Sequence, residues 1–479
     1  MTNSVDGLFQ PLVSFLDKIL FWDPFAALGI ALPVKIPFII IWLIFGAVFF
    51  TIYLKFINIR GLKHAIELVI GKYDKKSHSG EISHFQALAT ATASTVGLGN
   101  IAGVAVAITM GGPGATFWLI IAGFLGMTTK FTECTLGVKY RKINTDGSIS
   151  GGPMYYLRDG LAKKGLVKTG KVLAVIFALF AAIGAFGIGN MFQSNQMVAQ
   201  VITTFPSLDG NQIWIGAVLA ILVGMVIIGG IRGIAKVNDK LFPLMAGIYI
   251  LSALTVIIIN YQHLGDTFRL IWNGAFTPDG IKGGVIGVML IGFRRATFSN
   301  EAGIGSAAIA HSTVKTKQPL TEGYVALLEP FIDTVVICTM TALVIIITGM
   351  YTNTGNLTGS ALTSAAFESV SPWFPYLLLI TIILFAYTTI ISWSYYGVKS
   401  IDFLLGDIIE KKFGKRILVT RVYQVIFLVI TALGSVLSLN AIVDFSDMLI
   451  LAMAVPNIIG LYILAPEVKA MLNQYIKEP

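Results

Sequence analysis

The sequence predicts an all-α polytopic membrane protein with 11 transmembrane helices, ten of them forming two five-helix repeats of opposite topology behind one extra N-terminal helix. Three observations carry this reading. Hydrophobic residues make up 55% of the 479 positions and charged residues 12%, and the mean hydropathy is +0.80, far outside the range of a water-soluble chain. Eleven largely apolar segments of spanning length are centred near residues 47, 97, 125, 188, 221, 250, 297, 336, 387, 430 and 456. Basic residues cluster in alternate loops: those at 55–76, 130–171, 232–240, 315–317, 399–421 and 469–477 hold 28 of the 34 Lys and Arg, against Lys18, Lys35, Arg269 and Lys282 on the other side. This asymmetry predicts a multi-pass protein of the cell membrane with its N-terminus outside and its C-terminus in the cytoplasm. It also assigns the net charge of +9 to topology and lipid headgroups rather than to nucleic acid.

Taken in order, residues 1–36 read as an outer, interfacial segment, because "LFQPLVSFLDKILFWDPF" is amphipathic rather than spanning. Asp6 stands where a cleavable signal would carry basic residues. An uninterrupted accessory span follows at 37–57, "IPFIIIWLIFGAVFFTIYL". Five spans are expected over 85–260, an external loop over 261–282, five more spans over 283–465 and a cytoplasmic tail over 466–479. Because five is odd, a unit and its copy must enter the membrane from opposite sides, which is an inverted repeat. The first span of each unit is interrupted, by Gly97 and Gly99 in one and by charge with Gly303 and Gly305 in the other. Matched interruptions point to a transporter binding site. Cys134 and Cys338 have no metal-like spacing and support neither a disulfide framework nor a zinc site.

In "STVGLGNIAG", Gly97, Gly99 and Ala102 have the G-x-G-x-x-A spacing of a dinucleotide turn. That turn needs an apolar strand before it and an acidic residue about 20 positions on. Here "LATATAST" precedes it, and no Asp or Glu occurs between Asn100 and Thr132. A helix broken at Val96–Gly99 explains the glycines better. The half-helix starting near Asn100 would offer free N–H groups and its positive dipole end to a carboxylate. The preceding half-helix would leave carbonyls around Ala93 and Val96 for a hard cation such as Na+. Thr388 and Thr389 in "FAYTTIISWS" could add hydroxyls, although such hydroxyls commonly bond back to their own helix.

Phe186, Asn190 and Gln193 in "FGIGNMFQSNQ" fall at i, i+4 and i+7 and share one helical face, either as interhelical contacts or as substrate-selecting groups. Arg294, Arg295, Glu301, Glu329 and Asp333 are intramembrane charges, read as mutual pairs or gating elements. Lys130 and Glu133 are expected to pair near the cytoplasmic end of their span, and His311 to be a boundary residue without a ligand partner. A membrane-embedded enzyme would need a clustered nucleophile, base or metal site, which five His and two Cys do not form in sequence. A channel would pass substrate without saturation or sodium dependence.

The stretches "HFQALATATASTVGLGNIAGVAVAITMGGPGATFW", "GGPMYYL", "FGIGNMFQSNQ", "FSNEAGIGSA", "FIDTVVICT" and "ISWSYYG" resemble the alanine or glycine:cation symporter family from about Ile82 to the last span. The resemblance implies a leucine-transporter-like fold with five plus five inverted helices and an extra N-terminal helix. It further implies Na+-coupled uptake of a small neutral amino acid, alanine or glycine, with no organic cofactor and no obligate protein partner. Ala93, Val96 and Phe385, with the hydroxyls of Thr388 and Thr389, would form the sodium site. Thr95, Gly97, Leu98, Gly99 and Asn100 would surround the substrate carboxylate, with Phe186, Asn190 and Gln193 around its side chain and amine. Ile291 stands where alanine-type members carry a Trp, so a larger substrate such as glutamine is the alternative.

Overall fold

The computed structural model describes residues 11–477 apart from 12, 33, 74–79, 145, 278–282, 353–356 and 358. Asp6 and Lys282 lie outside the described residues. The chain is helical almost throughout; its strands among the described residues are one antiparallel hairpin, β1 (Lys142–Ile143) and β2 (Ile149–Ser150).

An apolar helix α1 (Phe38–Tyr53) is followed by a bent pair, α2 (His84–Thr95) and α3 (Gly99–Gly111), whose axes differ by 52°. Four longer helices come next: α4 (Ala115–Lys139), α5 (Val167–Thr204), α6 (Gln212–Ile227) and α7 (Gly230–Ile259). Helix α8 (Leu264–Phe276) follows. A broken pair, α9 (Gly284–Asn300) and α10 (Ala307–His311), precedes α11 (Pro319–Ile347), α12 (Phe374–Phe413), α13 (Ile417–Gly434) and α14 (Leu439–Lys477). Among the described residues, seven helices are long and apolar enough to cross a bilayer, and the bent α2–α3 pair makes an eighth if counted as one span. Helices α1 and α6 are apolar but have 16 residues each. Every segment centre expected from the sequence falls in one of these helices or at a break between two of them.

The outer surface is apolar, as lipid contact requires. Ile221 and Met225 on α6 are 65% and 66% exposed, and Val425 on α13 is 61% exposed. The inward stripes of the same helices, Leu219, Val223 and Ile227 on α6 and Val419, Tyr423 and Phe427 on α13, are buried where the two helices pack. The protein therefore inverts the usual amphipathic logic only in its outer face; its core is still close-packed and apolar. At the centre, α2 packs against α7 and α12, while α4 packs against α9, α10 and α11.

The expected external loop at 261–282 contains a helix. In α8, Thr267, Ile271 and Ala275 are buried at i, i+4 and i+8, and the ring of Phe276 stacks edge-on to Phe117 at 5.0 Å. Its amphipathic pattern is too polar for a hydropathy window to register, yet one apolar stripe suffices to dock it over the turn between α3 and α4.

Candidate functional site

Helix α2 begins at a capping box, in which Ser83 accepts from Gln86 N–H and the Gln86 side chain accepts from Ser83 N–H. It ends when Val96 leaves helical geometry (φ −70°, ψ 89°), and α3 resumes through a π-turn over Gly99–Gly103. In a low-dielectric interior each unmet backbone group costs several kcal/mol, so a break at this depth persists only where other groups meet it. Gly97 N–H donates to Asn100 Oδ1 at 2.9 Å, and Leu98 N–H donates to Gln193 Oε1 of α5 at 3.3 Å. Ala93 C=O accepts from Thr389 Oγ1 of α12 at 3.0 Å. The carbonyls of Asn100 and Ile101 accept from Thr341 and Thr363 at 2.8 and 3.2 Å.

The approach is tight. A Cβ on Gly97 would lie 2.9 Å from Thr389 Oγ1 and 3.1 Å from Gln193 Oε1, so any larger residue there would push on both side chains. A Cβ on Gly99 would sit 3.5 Å from the Phe298 ring, which packs edge-on to Phe192. Phe298 is a residue that the sequence reading missed. Its signal, an aromatic three residues before the second break, is weak without knowing that the two breaks face each other.

The other expected residues divide clearly. Thr95 bonds back to Thr92 and Ala91 carbonyls, and Thr388 to those of Leu384 and Phe385 with a contact to Met245 Sδ at 3.4 Å. Phe385 is buried beside them. Phe186, Asn190 and Gln193 do not all face one neighbour: the π-turn over Gly187–Met191 holds an extra residue in its turn and offsets Gln193 from the other two. Gln193 reaches the break, whereas Asn190 Nδ2 donates to Phe427 C=O of α13 at 2.8 Å and Phe186 stacks on Tyr423 at 5.0 Å. Ile291 packs with Ala107, Ala115, Val288 and Trp118 beside Gly111, at the far end of α3 from the break.

The second break is built from backbone that glycine favours: Gly303 and Gly305 have φ of +90°, and Glu301 itself is at +56°. Glu301 accepts from Trp393 Nε1 of α12 at 3.2 Å and from the Ser306 hydroxyl, and Gly303 C=O accepts from Asn457 Nδ2 of α14 at 2.8 Å. Asp333 joins the two breaks. It accepts from Asn100 Nδ2, Ser299 Oγ and Thr334 Oγ1, each at 2.7 Å.

The remaining charges pair with partners that the sequence did not suggest. Arg294 and Arg295 lie 2.7 and 3.8 Å from Asp447 of α14, not beside Glu301. Lys130 meets Glu329 at 3.1 Å, while Glu133 accepts from Asn457 at 2.7 Å. His311 is no boundary residue: it is fully buried, with Nδ1 on Glu322 and Nε2 2.5 Å from Glu329, and Glu322 also meets His84. Cys134, His311 and Glu329 bring ligand-type atoms within 4.8 Å of one another. With both His311 nitrogens against carboxylates and an ammonium on Glu329, this is a hydrogen-bonded ion network and not a metal cage.

The sodium:alanine symporter family profile matches residues 29–479. The chain is 40% identical to the sodium/alanine symporter AgcS of Methanococcus maripaludis, over 90% of this chain and 92% of that protein. It is 35% identical to the probable sodium/glutamine symporter GlnT of Bacillus subtilis, over 92% and 88% of the two chains. The crystal structure of MhsT in complex with L-phenylalanine superimposes with a TM-score of 0.51 at 16% identity, covering 82% of this chain and all of that one, so the fold is shared.

Proposed function

Because the chain belongs to the sodium:alanine symporter family, and is therefore a transporter and not an enzyme, we propose that it couples Na+ entry to uptake of a small neutral amino acid, alanine or glycine. The observation that carries this reading is the α2–α3 break, where backbone donors, a backbone acceptor and two side chains converge on one glycine. The Leu98 N–H is capped by a neutral amide oxygen of Gln193. A substrate carboxylate is the stronger acceptor and would replace it, held also by the dipole of α3. Gly97, Gly99 and Asn100 would line that position, with Thr95 at its edge. On the other side of the break, Ala93 C=O and Thr389 Oγ1 already share one contact. A cation between them would draw both oxygens, together with the carbonyls of Val96 and Phe385 and the Thr388 hydroxyl.

The two broken pairs would be the first spans of two inverted five-helix units, with α1 as an accessory span and ten core spans behind it. Transport would proceed as one bundle rocks against the other, each ligand favouring the occluded state through its higher affinity for it. The N-terminus would face outward and the C-terminus the cytoplasm.

Glutamine is the second reading. The likeness to GlnT, beside that to AgcS, favours keeping it. Uptake of labelled alanine, glycine and glutamine into proteoliposomes, with and without an inward Na+ gradient, tests both. Gradient-driven accumulation of alanine or glycine is expected; accumulation of glutamine alone selects the second reading, and flux indifferent to sodium rejects coupling.

A further inference from the structure

On the face that carries the basic loops, a cavity of about 290 Å³ opens between the α6–α7 turn, α12 and the start of α13. Its wall holds three cations, Arg232, Lys399 and Arg421, and one carboxylate, Glu81. Lys399 Nζ donates to Ile149 C=O at 2.8 Å and to Ser150 Oγ at 3.3 Å, and Arg421 Nη1 donates to Gln424 Oε1 at 3.0 Å. Among the described residues neither has a carboxylate within ion-pair distance. Glu81 stands 3.6 Å from Arg232 and also takes the Ile149 N–H at 2.8 Å. The wall thus carries two positive charges in excess.

Two further features point to an anion. Gly230 and Ile231, the first residues of the 30-residue helix α7, line the same cavity, which places the positive end of that helix there. Tyr395 also lines it. That side chain is 5% exposed, and its buried hydroxyl has no hydrogen-bond partner among the described residues. A buried hydroxyl left unmet costs free energy that a bound acceptor would recover.

The surroundings select the kind of anion. Next to the cavity, the outward faces of α6 and α13 are apolar rows: Ile221 and Met225 are 65% and 66% exposed on one, Val422 and Val425 50% and 61% on the other. A charged cavity bordered by lipid-facing hydrocarbon has the polarity profile of a phospholipid, headgroup in the cavity and acyl chains along the rows. We propose that this cavity binds the phosphate of an anionic phospholipid, bridging α7, α12 and α13. The proposal is independent of which amino acid is carried.

The test uses the purified full-length protein, delipidated and incubated with phosphatidylglycerol or phosphatidylcholine of matched acyl chains, with bound lipid counted by native mass spectrometry. Phosphatidylglycerol should be retained roughly 25-fold over phosphatidylcholine, about five-fold for each unpaired cation. Arg421→Gln should lower its retention about five-fold and narrow its margin over phosphatidylcholine. Tyr395→Phe should act in the same direction. Equal retention of the two lipids overturns the proposal, and that comparison needs no variant to fold. Displacement of phosphatidylglycerol by an equal concentration of inorganic phosphate also overturns it, assigning the cavity to a free anion.

Discussion

Gly97 has the least room for a side chain of the glycines at the first break, since a methyl group there would meet Thr389 and Gln193 together at 2.9 and 3.1 Å. Gly97→Ala is expected to reduce initial uptake at least about tenfold, because it displaces both partners of the break at once. Uptake at the wild-type rate would detach the break from transport. Thr389→Ala removes the hydroxyl that meets Ala93 C=O and should raise the half-saturating Na+ concentration about tenfold, the effect of roughly 1.4 kcal/mol. A sodium curve that does not move takes Thr389 out of the cation site. Gln193 and Asn190 give a paired contrast. Gln193→Leu removes the cap that the carboxylate must displace and should lower the half-saturating amino-acid concentration, whereas Asn190→Leu, which loses an interhelical bond to Phe427, should cost about 1 kcal/mol of stability and leave it unchanged. The glycines and hydroxyls were legible in the sequence because their meaning is local. The separation of Asn190 from Gln193 was not, since i+3 and i+4 arithmetic assumes a regular helix and the π-turn at Gly187–Met191 breaks that assumption.

At the level of helices, both interruptions have the same requirement: each exposes backbone groups that a neighbouring element must meet. The first is met by α5, α11 and α12, the second by α12 and α14, and Asp333 of α11 ties the two together. Interrupted spans could be read from glycine and charge, but their partners lie up to 296 positions away in the chain and leave no local pattern. The same distance hid the role of His311. The network His84–Glu322–His311–Glu329–Lys130 joins α2, α4, α10 and α11, and His311 stands between two carboxylates. Replacing it by Asn leaves buried negative charge short of a partner, a loss of about 3–5 kcal/mol by analogy with broken buried ion pairs. The melting temperature of the detergent-solubilised protein measures this. Adding Glu322→Gln to His311→Asn should recover part of the loss, since one uncompensated carboxylate is removed; a double variant no better than the sum of both single losses would deny that the residues act together.

At the scale of the molecule, the even alternation of basic and non-basic loops depends on every helical segment crossing the bilayer, and α9 is the one that composition supports least. It has 17 residues and carries Arg294 and Arg295, and it is not among the helices that qualify as spans by length and hydropathy. Its charge is tolerable because Asp447 of α14 pairs with both guanidinium groups and offsets one of the two charges, and because Phe21 covers the Arg294 guanidinium at 5.0 Å, so much of the burden on lipid is removed by the protein itself. Between Asp266 in α8 and Lys412 at the end of α12, the chain passes through α9, α11 and α12. If all three cross, an odd number of passages puts Asp266 and Lys412 on opposite faces; if α9 fails to cross, they share one. The native Cys134 and Cys338 are both buried, which keeps background reaction low. Asp266→Cys is therefore expected to react with a membrane-impermeant maleimide on intact cells, and Lys412→Cys only after permeabilisation. Labelling of both from the same side would remove α9 from the set of spans, and with it the five-plus-five inversion, because the second unit would then have four passages and would return to the face from which it began.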